Sequence, residues 1–373
     1  MTAPALAEPL RILQIYPRDD FFTGAAVQLL ELASGLRARG HGVTILTRPS
    51  PIWETKCREA GITHYALPLR RWLDLASIVG LRRIMKRHRI QVMHCHKGRA
   101  RTFAILASPV GPVPVIVLNR GVSFPLNPLN RLGYITRRVS AIVAVADSIK
   151  RGLVAQGVPE GKIEVIYSGT DTDRFHPNVD GSAIRRELAL TPDQFLITQV
   201  GIRSWRGNAD VLDAMARVAR RAPQVRLLFV GARRAEALYD TARATGLDGV
   251  VHVWGYREDI PNILAASDVT MDAAYAGAGI TGSLRESLAV ETPVIGTDLE
   301  GIPELIQDGE IGLLVPPRNP EALAQAILRI MENPVKAKEM ARAGRKRVEA
   351  LFSTPVKVQR TEALYRRLLA ERS

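Results

Sequence analysis

Thirteen short runs of β-branched and aliphatic residues punctuate the chain, and most are apolar without interruption. A strand with one wet face alternates between apolar and polar residues. A strand covered on both faces does not, and such strands belong to parallel sheets. The first seven runs span 10–16, 43–47, 63–67, 92–96, 113–118, 141–146 and 163–167. The other six span 196–201, 226–231, 250–255, 269–273, 293–296 and 312–315. Helical patterns separate them. Strand, helix, strand repeated in this way predicts doubly wound α/β domains.

The helices carry ordinary punctuation. One over 29–39 stops at Gly40, Asn208 stands where a cap belongs before 209–220, and Asn319-Pro320 opens 321–331. The two strand sets part near 168–182, a polar stretch with Pro177 and two glycines. The predicted organisation is an N-terminal domain over 1–170, a linker over 171–182 and a C-terminal domain over 183–350. Residues 336–369 show two helical patterns and no strand, and the last helix, 355–373, can pack on either domain, a return to the first being one of the two arrangements. Open α/β sheets bind ligands beyond the carboxyl ends of their strands. The loops that follow strands are therefore the places to search.

Composition excludes several classes. With 46% hydrophobic and 24% charged residues, the chain is neither disordered nor collagen-like. Two cysteines make no disulfide framework and suit a reducing compartment. The first nine residues lack a basic start and an apolar run, so they read as a loose tail. The longest uncharged stretch, 102–119, holds three prolines and cannot be one spanning helix. The expectation is a cytosolic protein. Its net charge is +14, and between Arg70 and Arg101 ten basic residues face one acid, Asp74. Such a balance favours an anionic partner.

Four post-strand loops are suited to chemistry. After the first strand, a turn through Thr23-Gly24 enters a helix whose N–H groups suit an anion. A second loop, 201–207, carries Arg203 and Arg206, and a guanidinium fork matches phosphate oxygens. The third, Ala276-Gly277-Ala278-Gly279-Ile280-Thr281-Gly282-Ser283, offers glycines for close approach and then a helix with Glu286 in its first turn. The fourth, 298–305, turns at Gly301. Each alone is compatible with tight turns and solvated charges.

Together these loops resemble the retaining glycosyltransferases of family 4, which have the GT-B fold. The motifs are Val200-Gly201 with Arg206-Gly207, and Gly255-Tyr256-Arg257-Glu258-Asp259-Ile260-Pro261. Ala278-Gly279-Ile280-Thr281 with Glu286 and Thr292-Pro293-Val294-Ile295 follow. The run ends with Glu300-Gly301-Ile302-Pro303-Glu304, Asp308-Gly309 and Gly312-Leu313-Leu314-Val315-Pro316-Pro317. Ser168-Gly169-Thr170-Asp171 resembles the family linker, and the N-terminal half matches more loosely.

The resemblance implies two Rossmann-like doubly wound domains facing a central cleft, and transfer of a sugar from a nucleotide donor with retention. It implies no metal and no cofactor, the donor (UDP or GDP type) being a substrate. Arg206 and Arg203 would contact the diphosphate, assisted by Gly24 and by the backbone of Ile280, Thr281, Gly282 and Ser283. Glu286 would hold the ribose, and Tyr256 and Arg257 would face the base. Three positions depart from the pattern: Ala278 replaces the first acid of the family pair, Ile202 replaces an arginine, and Asn119-Arg120 occupies the place of a histidine. His96, Arg120 and Asn119 are the candidates near the reacting carbon. The expected acceptor is a hydroxyl of a glycan or lipid-linked molecule in envelope polysaccharide or lipopolysaccharide synthesis. A non-catalytic nucleotide-sugar-binding relative and a nucleotide-sugar epimerase are the rival readings.

Other patterns lead nowhere. Asp171-Thr172-Asp173 falls in the linker rather than a metal site, and His94 with His96 lacks a third ligand. No basic aromatic patch suggests nucleic acid. The helix over the basic segment is expected to bury Leu75, Ile78, Leu81 and Met85 and to expose Arg82, Arg83, Lys86 and Arg87. That face is either simply solvated or a dock for an anionic cytoplasmic membrane leaflet.

Overall fold

The computed structural model describes residues 8–21, 23–70, 74–108, 114–232, 235–277 and 279–372, and the side chain of Leu129 is not among what it describes. It divides into two compact units, one of residues 1–169 with 354–373 and one of residues 170–353.

Unit 1 carries seven described strands: β1 (Arg11–Tyr16), β2 (Gly42–Thr47), β3 (Thr63–Ala66), β4 (Val92–His96), β5 (Val115–Arg120), β6 (Ala141–Ala144) and β7 (Ile163–Val165). Unit 2 carries six: β8 (Phe195–Val200), β9 (Val225–Val230), β10 (Val251–Trp254), β11 (Val269–Asp272), β12 (Val294–Thr297) and β13 (Leu313–Val315). All thirteen coincide with the apolar runs, with ends shifted by a residue or two; the run expected from 113 begins on a residue outside those described.

Every pairing is parallel. The first sheet runs β3-β2-β1-β4-β5-β6-β7 and the second β10-β9-β8-β11-β12-β13. Both are doubly wound, with the order reversing between β1 and β4 in one unit and between β8 and β11 in the other. This is the two-domain Rossmann-like architecture expected. The central strands are buried on both faces, as in β4 and β6, which is why their sequences do not alternate.

The helix Thr354–Ala370 completes the core of unit 1. Its Val358, Leu364, Tyr365 and Leu368 pack with Ile12, Tyr16, Leu29 and Trp53. Contact with the helix Gly24–Ala38 is close enough that a Cβ at Gly35 would lie 2.4 Å from Val358 Cγ2. In unit 2, Ile197, Leu227, Phe229, Met215 and Ile327 form the centre of the core.

Two local expectations need correction. Leu75 is 70% exposed, not on the buried face with Ile78, Leu81 and Met85. It is the first residue of the helix Leu75–Arg87, directly after the cap Asp74, and faces outward. Asn208 is not a cap but the first residue of the helix Asn208–Arg221; Gly207, at φ +64°, precedes it in the left-handed region.

Candidate functional site

The switch point of the second sheet lies between β8 and β11, and the two loops that leave it are tied together. Arg206, in the loop after β8, donates from Nη1 to Oδ2 of Asp272, the last residue of β11. The Asp272 side chain is fully buried, and that of Arg206 is 21% exposed. Asp272 Oδ1 also accepts from the Ala274 N–H at 3.1 Å. The rest of the Arg206 fork makes no side-chain hydrogen bond among the described residues. Its Nη2 lies over Gly201, 3.9 Å from where a Cβ would stand. One arm of the guanidinium is thus anchored while the other donors stay available at the carboxyl ends of the strands.

The loop around it is braced. Gln199 Nε2 donates to the Arg206 carbonyl (3.2 Å) and to Asn208 Oδ1 (2.9 Å), and Asn208 Nδ2 donates to the Arg203 carbonyl (3.2 Å). Gly207 lets the loop cross β11, since a Cβ there would sit 2.1 Å from the Ala273 carbonyl oxygen. Arg203 is turned back, donating to the Ile202 carbonyl at 2.7 Å.

After β11 the chain enters the helix Gly282–Ala289. Its first N–H groups have no intrahelical acceptor, and Thr281 caps the helix by position without a side-chain hydrogen bond. Thr281 Oγ1 and Ser283 Oγ are both buried and find no partner among the described residues. Buried hydroxyls are normally satisfied, so two orphans at a helix N-terminus mark a place for an external acceptor. Ile280 is buried and offers only its backbone. Ala278 lies outside the described residues.

Glu286 falls in the second turn of this helix, not the first. Gly282 admits it closely, with Oε1 3.4 Å from where a Cβ would stand. Burial pushes its carboxyl above the usual carboxylate range, against the opposing pull of Arg285 and Arg174. Tyr256 is 56% exposed. Arg257 is committed elsewhere: it forks onto Glu187 (2.7 and 3.0 Å) and Asp259 (2.8 and 2.6 Å) and lies over the Trp254 ring. Only the Arg257 backbone remains for a ligand.

In unit 1, β4 and β5 end beside a small cavity whose lining includes His94, His96, Asn119, Gln28 and Lys357 together with Val143 and Ile166. His96 Nε2 is hydrogen-bonded to Gln14 Oε1 at 2.7 Å, and its ring stacks on His94 at 4.6 Å. His94 Nδ1 meets the Tyr365 hydroxyl at 2.6 Å, and its Nε2 is buried without a partner among the described residues. Burial holds His94 down to about 3, with Lys357 adding to it, and depresses His96 well below the usual range. Both rings are therefore neutral at pH 7. Arg120 donates to the Phe124 carbonyl and lies 6.0 Å from the Tyr134 ring centroid. Gly24 opens the helix Gly24–Ala38, and a Cβ there would meet nothing within 4 Å.

Sequence reading passed over one residue of the site. It is Asp272, and its signal was a charge at the end of a buried strand.

Two family models match the chain: Glycosyltransferase Family 4 over residues 22–174, and Glycosyl transferases group 1 over residues 195–333. The phosphatidyl-myo-inositol mannosyltransferase of Mycobacterium tuberculosis is 26% identical over 361 residues, spanning 90% of this chain and 91% of its own. A glycosyltransferase from Rickettsia africae superposes with a TM-score of 0.88 over 97% of this chain and 99% of its own, at 21% identity. HepE of Anabaena, solved with UDP and glucose, gives 0.84 over 95% and 99%, at 20% identity.

Proposed function

Because the chain belongs to the group 1 glycosyltransferases of family 4, we propose that it moves a sugar, with retention, from a nucleoside-diphosphate donor to an acceptor hydroxyl. The observation that carries this reading is the pairing, at one switch point, of a half-anchored guanidinium with a helix N-terminus whose two hydroxyls lack partners. Both suit a diphosphate. As the sugar leaves, negative charge grows on the departing phosphate, and fixed donors there lower the barrier. In this reading Arg206 and the first turn of Gly282–Ala289 do that work without a divalent cation. Glu286 accepts from the ribose diol, and the backbone at Tyr256–Arg257 faces the base. The donor in this reading is of UDP or GDP type, and HepE, solved with UDP and glucose, supports a nucleotide-sugar partner. Arg120 and Asn119, with His96 behind them, belong to the acceptor side.

The acceptor we assign is a glycan or lipid-linked hydroxyl at the inner face of a membrane, in envelope polysaccharide or lipopolysaccharide synthesis. Among the described residues no helix is long and apolar enough to cross a membrane, so the enzyme would work there from the surface.

A panel of UDP-, GDP- and ADP-sugars tests the donor reading. Slow hydrolysis of one of them is expected, and its loss in Arg206→Gln and Glu286→Gln. Ala278, standing where the family carries an acid, favours a second reading: a relative that binds nucleotide sugar and acts with a partner transferase. Tight binding without turnover, relieved by Ala278→Glu, would decide for it.

A further inference from the structure

Arg285, one residue before Glu286 in the helix Gly282–Ala289, is only 3% exposed. A guanidinium taken out of water is costly unless its charge is matched. Its Nη1 donates to Thr170 Oγ1 at 2.7 Å. Thr170 is buried too, and its N–H donates to the Phe352 carbonyl at 2.8 Å. Thr170 therefore fixes where the guanidinium stands, but a hydroxyl does not balance its charge.

The balance lies one residue on. Helical side chains lean toward the amino terminus, so positions i+3 and i+4 lie over position i. Here position i is Gly282, which has no side chain to fill the space. Arg285 Nη2 and Glu286 Oε1 both reach it, standing 3.8 and 3.4 Å from where its Cβ would be. Cation and carboxylate thus converge on one point at the start of the helix. Glu286 is half-buried, and its carboxylate makes no hydrogen bond among the described residues. Burial favours the neutral acid, and Arg285 opposes this more strongly than Arg174 does. Other charges near this helix are engaged elsewhere. Asp272 of β11 holds Arg206, and the helix Pro334–Leu351 sends Arg345 to the Ala289 carbonyl, at the far end. Its remaining neighbours, the helix Ile260–Ala266 and β12, carry no charged residue.

We infer that Arg285 is a positioning residue of the donor site: it keeps Glu286 ionised and turned to the helix start, so that the site demands a ligand with two adjacent hydroxyl donors. An ionised carboxylate only accepts, and a ribose diol brings two protons to it. A neutral acid would turn one oxygen into a donor and lose that match. This role rests on Glu286 holding the ribose, and it gives the site a way to tell ribose from deoxyribose.

Calorimetry on the full chain with UDP and 2′-deoxy-UDP tests it, or with GDP and 2′-deoxy-GDP if guanosine is the base. The paired nucleotides share base and phosphates, so the ratio of their dissociation constants reports the diol. At pH 7 the natural chain should favour ribose by at least roughly tenfold, as a hydrogen bond to a charged group allows. Arg285→Gln, which removes the charge and retains a donor, should bring the ratio below about threefold at pH 7. The ratio should climb again toward pH 8.5, as the carboxyl ionises without its cation. Thr170→Val, which removes the brace and leaves the charge, should keep most of the natural ratio, and so should Arg285→Lys. A natural ratio in Arg285→Gln across this pH range overturns the role of Arg285 and leaves Glu286 on the ribose. A loss in Thr170→Val as large as in Arg285→Gln also overturns it, because Arg285 would then act only as a staple. No ribose preference in the natural chain removes Glu286 from the ribose, and Arg285 with it. Circular dichroism reports folding, and Arg285→Met repeats the test if the glutamine variant does not fold.

Discussion

Arg206→Ala should damage the protein twice, and the two injuries can be separated. The substitution removes the proposed diphosphate contact. It also leaves the Asp272 carboxylate, whose side chain has no exposure at all, with only the Ala274 N–H as partner. Breaking a buried ion pair from one side costs about 3–5 kcal/mol, mostly because the remaining charge is stranded. The value here should lie toward the lower end of that range, since Arg206 keeps 21% exposure and water reaches its end of the pair. Replacing both partners removes the stranded charge, so R206A/D272N should recover most of the lost stability. It should not recover nucleotide binding. Native-state hydrogen exchange of the β8 and β11 amides reads the stability of this region, and calorimetry with UDP reads the site. A loss below about 1 kcal/mol in Arg206→Ala, or a double variant no more stable than the single one, would refute the argument from burial. Recovery of UDP binding in the double variant would remove Arg206 from the donor site.

Three further outcomes follow from the geometry. Gly207→Ala places a Cβ 2.1 Å from a backbone oxygen at φ +64°, so it should cost more than about 4 kcal/mol or prevent folding, as thermal melting would show. His94 binds its proton far more weakly in the folded chain, at about 3 against the ordinary 6.5. Below pH 6.5 the unfolded chain takes up the proton and the folded one does not, so stability falls with pH through that window. Urea midpoints across it should fall less steeply in His94→Asn than in the natural chain, and parallel curves would remove His94 as a cause. Because burial raises the Glu286 carboxyl, nucleotide affinity should weaken at a higher pH than an ordinary glutamate would give, and Glu286→Gln should abolish that dependence in a titration series.

The fold was readable because the parallel sheets left their signature directly in the chain. Strands such as β6, Ala141–Ala144, are covered on both faces and so written in uninterrupted apolar residues. The ends of elements were less readable: Asn208 has a capping residue's chemistry, yet Gly207 takes the cap position because the left-handed turn is needed there. Motif order pointed to Arg206 and Glu286. It could not reveal that Asp272 anchors Arg206, because that contact joins residues 66 positions apart through the adjacency of β8 and β11. Nor could helical spacing foresee that Leu75 faces outward, since the first turn of a helix has neighbours on fewer sides than its middle.

The return of the helix Thr354–Ala370 to the first unit has a consequence for synthesis. Unit 1 holds residues 1–169, but Tyr365, Leu364 and Leu368 complete its core, and they are made after the whole of unit 2. While the ribosome is still translating, the growing chain holds β1 to β7 with one side of the core uncovered. Unit 2, whose residues run without a break from 170 to 353, can close before it. The usual order, in which the N-terminal domain folds first, is therefore reversed. A nascent chain exposed as far as residue 353 would hold the whole second unit and an unfinished first one. A nonsense mutation before Val358 in the helix Thr354–Ala370 would send out a chain that quality-control proteases could recognise by its bare N-terminal core.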